Sequence, residues 1–291
     1  MARFWAGLAM IFLAHSAAKA AQILPDALDM LPPADVVILG EVHDNPTHHS
    51  HQARAVAALR PAALVFEMLS PAQAGLAMGL PRGDAQALGQ ALQWQDSGWP
   101  DFAMYHPIFT AAPDAALYGA ALPRDRVRRA ISEGAASVFG AEAAQYGLTT
   151  ALDPGDQSRR EAEQMAAHCN ALPPEMLPGM VQAQRLRDAG LARAVLQAMD
   201  ATGGPVAVIT GTGHARTDTG IPAALAQAAP QLQVLSIGQI EAAPDTAIET
   251  APPYDLWIIT TPAPPIGNAI SSQLIPRIYI RDGHIIFVSY R

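Results

Sequence analysis

Short, unbroken apolar runs punctuate the chain, and between them lie longer stretches whose apolar positions recur at helical spacing. The runs are Val36-Val37-Ile38-Leu39, Ala63 to Met68, Pro205 to Thr210, Gln233 to Ile237 and Leu256 to Thr260. With so little polar alternation they predict strands buried on both faces of a parallel sheet. Asn45-Pro46-Thr47 reads as a helix start, because proline at a first helical position gives up an amide that has no partner there, and the helix runs to about Leu59 before Arg60-Pro61 ends it. Strand, helix and second strand together make a right-handed crossover unit.

From Ser70 to about Thr202 the pattern changes to alanine-rich helical segments broken by proline and glycine. Helices are predicted over Ala85 to Trp94, Pro123 to Ile131, Gln157 to Cys169 and Pro174 to Met199, the last interrupted by Pro178, Gly179 and Gly190, and no strand is predicted among them. A further helix is expected from Pro222 to Ala228. At the C-terminus, Ile278-Tyr279-Ile280 and Ile285 to Val288 flank Asp282-Gly283, the pattern of an antiparallel hairpin. The expected fold is therefore α/β, with a mainly parallel central sheet flanked by helices. It carries a large helical insertion over 70–202 and a C-terminal β-hairpin over 277–291, all within one domain spanning 21–291.

Three of the apolar runs stop at polar signatures: Gly40-Glu41-Val42-His43, Glu67, and Gly211-Thr212-Gly213-His214. Side chains at the carboxyl ends of parallel strands face one rim, where open α/β sheets bind ligands. Glu41, His43, Glu67 and His214 are thus expected to converge on one pocket. Imidazole and carboxylate suit zinc, iron or manganese, and the same groups serve as general base and oxyanion stabiliser. His48, His49 and His51 follow on the first helix; with no carboxylate nearby to complete a metal set, they read as a solvated face. Trp94, Trp99, Phe102 and Tyr105-His106 place aromatics and an imidazole in one short stretch, suited to covering a flat hydrophobic ligand or to packing the insertion on the sheet. Gln184, Arg187 and Asp188 share one face of the long helix, where Arg187 either takes a ligand carboxylate or pairs with Asp188 at the surface.

Composition narrows the partners. Arg3, the apolar stretch Phe4 to Leu13 and Ala18-Lys19-Ala20 form a secretory signal pattern, predicting residues 1–20 as a signal peptide and a periplasmic or secreted product. No later run reaches the roughly 18 apolar residues of a membrane span. Cleavage removes Arg3 and Lys19 from the 18 basic residues and leaves 26 acidic ones, a formal charge of 16 − 26 = −10. That balance argues against nucleic acid as partner. Lys19 is the only lysine, so the mature chain has no Schiff-base or P-loop lysine. Cys169 is the only cysteine, which excludes an internal disulfide, a thiolate-rich zinc site and c-type haem attachment.

The segments Ile38 to Asn45, Phe66-Glu67-Met68, Ser97-Gly98-Trp99-Pro100, Gln182 to Asp188, Gly211 to Arg216 and Gly220-Ile221-Pro222, in that order, resemble the ChaN-like haem-binding family of the Tiki and TraB superfamily. The resemblance implies an envelope protein of haem or iron uptake or storage. It further implies a homodimer that holds two haems between its subunits, with a tyrosine on the iron and a histidine at the propionates. The tyrosine is one of Tyr105, Tyr118 and Tyr146, with Tyr105 placed first because it follows the tryptophan motif. Tyr105, His106 and Arg187 are the cofactor-binding candidates on this reading. Members of the family are often lipoproteins; here no cysteine stands near the cleavage site, so no lipid anchor is expected there. The wider superfamily implies an alternative, a Tiki-like protease or esterase with a divalent metal ion on His43, His214, Glu41 and Glu67.

Overall fold

The computed structural model describes residues 20–243, 248, 250–263 and two strands at 278–281 and 284–287. The signal peptide and the Asp282-Gly283 turn expected from the sequence fall on residues 1–19 and 282–283, outside the described residues. Seven strands form one all-parallel sheet: β1 (Ala21–Gln22), β2 (Val36–Glu41), β3 (Ala63–Phe66), β4 (Ala116–Gly119), β5 (Val206–Gly211), β6 (Val234–Glu241) and β7 (Leu256–Thr260). Their spatial order is β1-β7-β6-β2-β5-β3-β4. The helices are α1 (Pro46–Leu59), α2 (Pro71–Ala77), α3 (Ala85–Ala91), α4 (Phe102–Ala111), α5 (Arg124–Glu133), α6 (Ala135–Phe139), α7 (Pro154–Ala167), α8 (Leu177–Thr202), α9 (Thr212–Ala215) and α10 (Ile221–Ala228). Strands β8 (Ile278–Arg281) and β9 (His284–Phe287) pair antiparallel with Arg281 opposite His284, as the hairpin pattern predicts.

The central strands are buried on both faces, and alternate side chains feed two separate cores. Val36, Ile38, Val65, Val206 and Val208 point to a layer containing Leu186, Leu191 and Val195 of α8. Val37, Leu39, Leu64, Phe66 and Ile209 point to the opposite layer, with Val56 of α1 and Ile108 and Phe109 of α4. Phe66 and Phe109 stack with centroids 4.6 Å apart and planes within 9°. Both layers therefore draw on residues 70–202. That segment is not an appendage, since α8 and α4 complete the two faces of the sheet.

Two expectations need correction. The segment 70–202 is not purely helical: β4 lies inside it and pairs with β3 at the sheet edge, Ala63 beside Ala116 and Phe66 beside Gly119. Four residues are too few to show a readable period, and the half-buried Ala116 and Tyr118 alternate with buried Leu117 and Gly119 as an edge strand should. Strand β6 also continues to Glu241 rather than stopping at Ile237. The long helix, by contrast, is continuous over 26 residues. Pro178 falls in its first turn, where it costs little, and Gly179 lets α5 approach so closely that a Cβ there would lie 2.6 Å from Ile131 Cγ2.

Candidate functional site

The chain leaves β2 on one side to reach β3 and later returns to place β5 between them, while β6 pairs on the far side of β2. This reversal of strand order puts the carboxyl ends of β2, β5 and β3 side by side, with Glu41 in register with Gly211. Gly211 has no side chain for a steric reason: a Cβ there would sit 2.9 Å from His43 Nε2 and 3.6 Å from Glu67 Oε2. The two Gly-x-x-His signatures and Glu67 therefore meet, as their sequence positions predict.

Glu41 anchors the first of two clusters and is 2% exposed. Its Oε1 accepts from His43 Nδ1 at 2.7 Å and from the Tyr105 hydroxyl at 2.8 Å. His49 Nε2 donates to the His43 carbonyl at 2.9 Å, while its Nδ1 lies 3.2 Å from Glu41 Oε2 without hydrogen-bond alignment. Burial pushes the Glu41 carboxyl up, but the two imidazoles overcome it and hold the group below the usual carboxylate range. Burial opposes charge on His49 as well, and the Glu41 carboxylate reverses that, raising the imidazole. On Tyr105, burial and the adjacent Glu41 both push the phenol above its ordinary value, so it is held as a neutral donor.

Glu67 anchors the second cluster. Its Oε2 accepts from Thr210 Oγ1 and the Gly211 amide, both at 2.8 Å, and its Oε1 accepts from Arg187 Nη2 at 2.5 Å. His214 Nε2 lies 3.4 Å from the same Oε1, and His214 Nδ1 donates to Asp188 Oδ1 at 2.5 Å. Burial alone would depress His214, but Glu67 and Asp188 raise it to about 9, so the ring is an imidazolium at neutral pH. Glu67, against the pull of burial, is held well below the carboxylate range, first by His214 and then by Arg187 and His43. Burial pushes Asp188 up, and His214 offsets this only in part. The row Asp188, His214, Glu67, Arg187 thus alternates in charge, which is how buried ions are tolerated.

Two of the three histidines of α1 depart from the expected solvated face, since His48 and His49 are buried. His48 Nδ1 accepts from the Val42 amide at 2.8 Å, which leaves Nε2 to donate to Thr260 Oγ1. That arrangement needs a neutral ring, and burial lowers it to about 4. His51 bonds Gln239 Oε1 at 2.8 Å. These histidines hold the β2 loop against β6 and β7; a run of imidazoles on one helix carries no signal that separates such a scaffold from a solvated surface.

Beside Glu67 opens a cleft of about 1120 Å³. Glu67 and Met68 form its floor, Met180, Arg187 and Leu191 of α8 line one wall, and Trp99 enters from the loop before α4. The Trp99 ring lies 4.8 Å from that of His43. The aromatic stretch therefore divides: Trp99 faces the cleft, whereas Trp94 is buried against Phe102 and Tyr105. Neither Tyr105 nor His106 lines the cleft. Tyr105 is fully buried beneath Glu41, and His106 Nε2 donates to the Arg82 carbonyl at 2.9 Å. Arg187 lines the cleft and pairs with Glu67 rather than with Asp188, which turns inward to His214. Asp188 is the residue whose role spacing conceals most, since one position separates a cleft-facing arginine from a buried carboxylate.

Among the described residues no group of three or more His, Cys, Asp or Glu is disposed to hold a metal ion. Glu67 is engaged by Arg187, Thr210 and the Gly211 amide, and Glu41 Oε1 by His43 and Tyr105, while Glu41 Oε2 has no hydrogen-bond partner. A haem does fit the cleft, which offers apolar walls, a tryptophan face and guanidinium groups in one volume.

A family model described as haem-binding uptake, Tiki superfamily, ChaN, matches residues 27–225. Among solved structures the fold is similar to one described as cofacial heme binding to ChaN of Campylobacter jejuni, with TM-score 0.58, 19% identity, and coverage of 79% of this chain and 89% of that one. The type III effector HopBA1 aligns over 78% of this chain and 88% of its own at 12% identity, with TM-score 0.41. No curated protein matches the chain. With its family model covering both signatures, Glu67 and the helices that bound the cleft, the chain belongs to the ChaN haem-binding family of the Tiki superfamily.

Proposed function

We propose that this protein binds haem in the cleft beside Glu67 and serves haem or iron uptake or storage in the periplasm, after cleavage of a leader near Ala20. One observation carries the reading: a volume of about 1120 Å³ joins apolar side chains, the Trp99 face and cationic groups, which is the chemistry of a flat amphipathic dianion. Trp99 and Met68 cover the macrocycle and Arg187 contributes positive charge. A bound haem would supply an iron able to accept ligands and electrons. Tyr105 supports the floor of the site by holding Glu41 and stays out of the cleft. A homodimer of two such subunits agrees with the family resemblance, and a second copy would cover the open side of the cleft.

Titrating the protein with hemin tests this. A saturable Soret change is expected in the wild type and is retained in Tyr105→Phe, while Trp99→Ala weakens binding about tenfold. No Soret change in the wild type would overturn the proposal. Light scattering with and without hemin reads the dimer.

A second reading, hydrolysis of an ester or amide, is favoured by a separate observation. Glu41 fixes the tautomer of His43 by accepting from Nδ1, so the lone pair on Nε2 is available as a general base beside Gly211 and Glu67. Loss of ester turnover in His43→Ala, with hemin binding intact, would support it; absence of turnover across a panel of nitrophenyl esters removes it.

A further inference from the structure

Helix α5 presents Arg124, Val127, Arg128 and Ile131 to the cleft, positions separated by three, one and three residues and hence on one face. The other two arginines of that helix are already engaged: Arg126 donates to the Val138 carbonyl at 3.0 Å, and Arg129 forms a two-bond pair with Glu133 at 2.7 and 2.8 Å. Arg124 and Arg128 have no ion pair among the described residues. Both are exposed, and both flank the apolar Val127 and Ile131. In a chain whose net charge is strongly negative, two uncommitted guanidiniums at one rim of an apolar cleft are complementary to a ligand that carries carboxylates along one edge.

Resting on the reading of the cleft as a haem site, we propose that Arg124 and Arg128 form a two-point clamp for the carboxylates of the bound tetrapyrrole, one guanidinium for each, and so set which edge of the macrocycle faces out of the cleft. Residues four apart on a helix lie about 6 Å from each other at their Cβ atoms, and arginine side chains are long enough to reach separate carboxylates from there. Val127 and Ile131 between and below them meet the apolar edge of the ring. The clamp makes recognition depend on free carboxylates, not only on iron and ring.

The test is a set of equilibrium titrations with hemin and with hemin dimethyl ester, whose carboxylates are masked. They are read by Soret absorbance on the full chain, its Arg124→Gln/Arg128→Gln variant and an Arg129→Gln control. Hemin is expected to bind wild type about tenfold or more tightly than the ester, and the double variant to lose that preference while its affinity for the ester is unchanged. Arg129→Gln, which removes one charge from another face of the same helix, should keep the preference. Equal affinity of wild type for hemin and ester, or an unaltered preference in the double variant, overturns the clamp and leaves haem binding standing. Failure of wild type to bind either porphyrin overturns the clamp together with the haem reading on which it rests. All three substituted arginines are exposed, so circular dichroism is expected to show native helix content in each variant.

Discussion

His214 shows how the surroundings of one side chain set the pH range of the fold. Its folded value of about 9 stands above the ordinary histidine value of 6.5, so its contribution is fully present below 6.5 and is lost as pH rises through 9. Glu67 acts in the opposite sense: held below the usual carboxylate value of 4.5, it contributes above that pH and loses its contribution as pH falls. Urea unfolding should therefore give the greatest stability between about pH 5 and pH 6.5, with a decline toward pH 9.5 that His214→Gln abolishes. Asp188 acts in the same sense as His214: its carboxyl is raised above the ordinary 3.8, so its contribution is present below that pH and is lost as pH rises through its folded value, and it cannot offset the His214 decline. Removing the partner is worse than having it, and Asp188→Ala, which leaves the buried imidazolium with one carboxylate fewer, is expected to cost ~3 kcal/mol by the same measurement. Tyr105→Phe deprives Glu41 of a buried donor and should cost ~1–2 kcal/mol.

At the level of elements, the close contact of α5 and α8 is the most exacting. Gly179 sits against the Ile131 side chain and carbonyl, both of which would lie 2.6 Å from an added Cβ. Gly179→Ala should therefore push the two cleft walls apart, lower stability by ~1–3 kcal/mol in thermal unfolding and weaken hemin binding in the Soret titration. The central strands were readable in sequence because burial on both faces erases polar alternation, as in Val36 to Leu39 and Val206 to Ile209. The convergence of Glu41, His43, Glu67 and His214 was readable for the same reason, since parallel strands share a carboxyl end. What could not be read was short or depended on tertiary partners. Strand β4 offers four residues to a pattern that needs more, and the inward turn of Asp188 beside the outward Arg187 is decided by where His214 lies. His48 and His49 look like any polar helix face until Thr260 and Glu41 are placed against them.

For the molecule as a whole, ligand binding and stability are linked. A ligand that binds only the folded chain raises its stability in proportion to the logarithm of its concentration, about 2.7 kcal/mol at one hundred times the dissociation constant. Thermal scans at increasing hemin concentration should show a midpoint that rises steadily, and the Arg124→Gln/Arg128→Gln variant should need proportionately more hemin for the same rise. The path of the chain through the sheet carries a further consequence for synthesis. Strands β2 and β3 do not touch; the gap between them is filled by β5, which follows β3 after 139 intervening residues. A nascent polypeptide halted at Gly203 would hold both flanking strands with no backbone partner between them. The Glu67 cluster would be open, because Thr210, Gly211 and His214 would be unmade. Ribosome-bound fragments of increasing length should therefore stay protease-sensitive until β5 has emerged and then acquire protection, so that the Glu67 side of the cleft exists only once the chain has been made past His214.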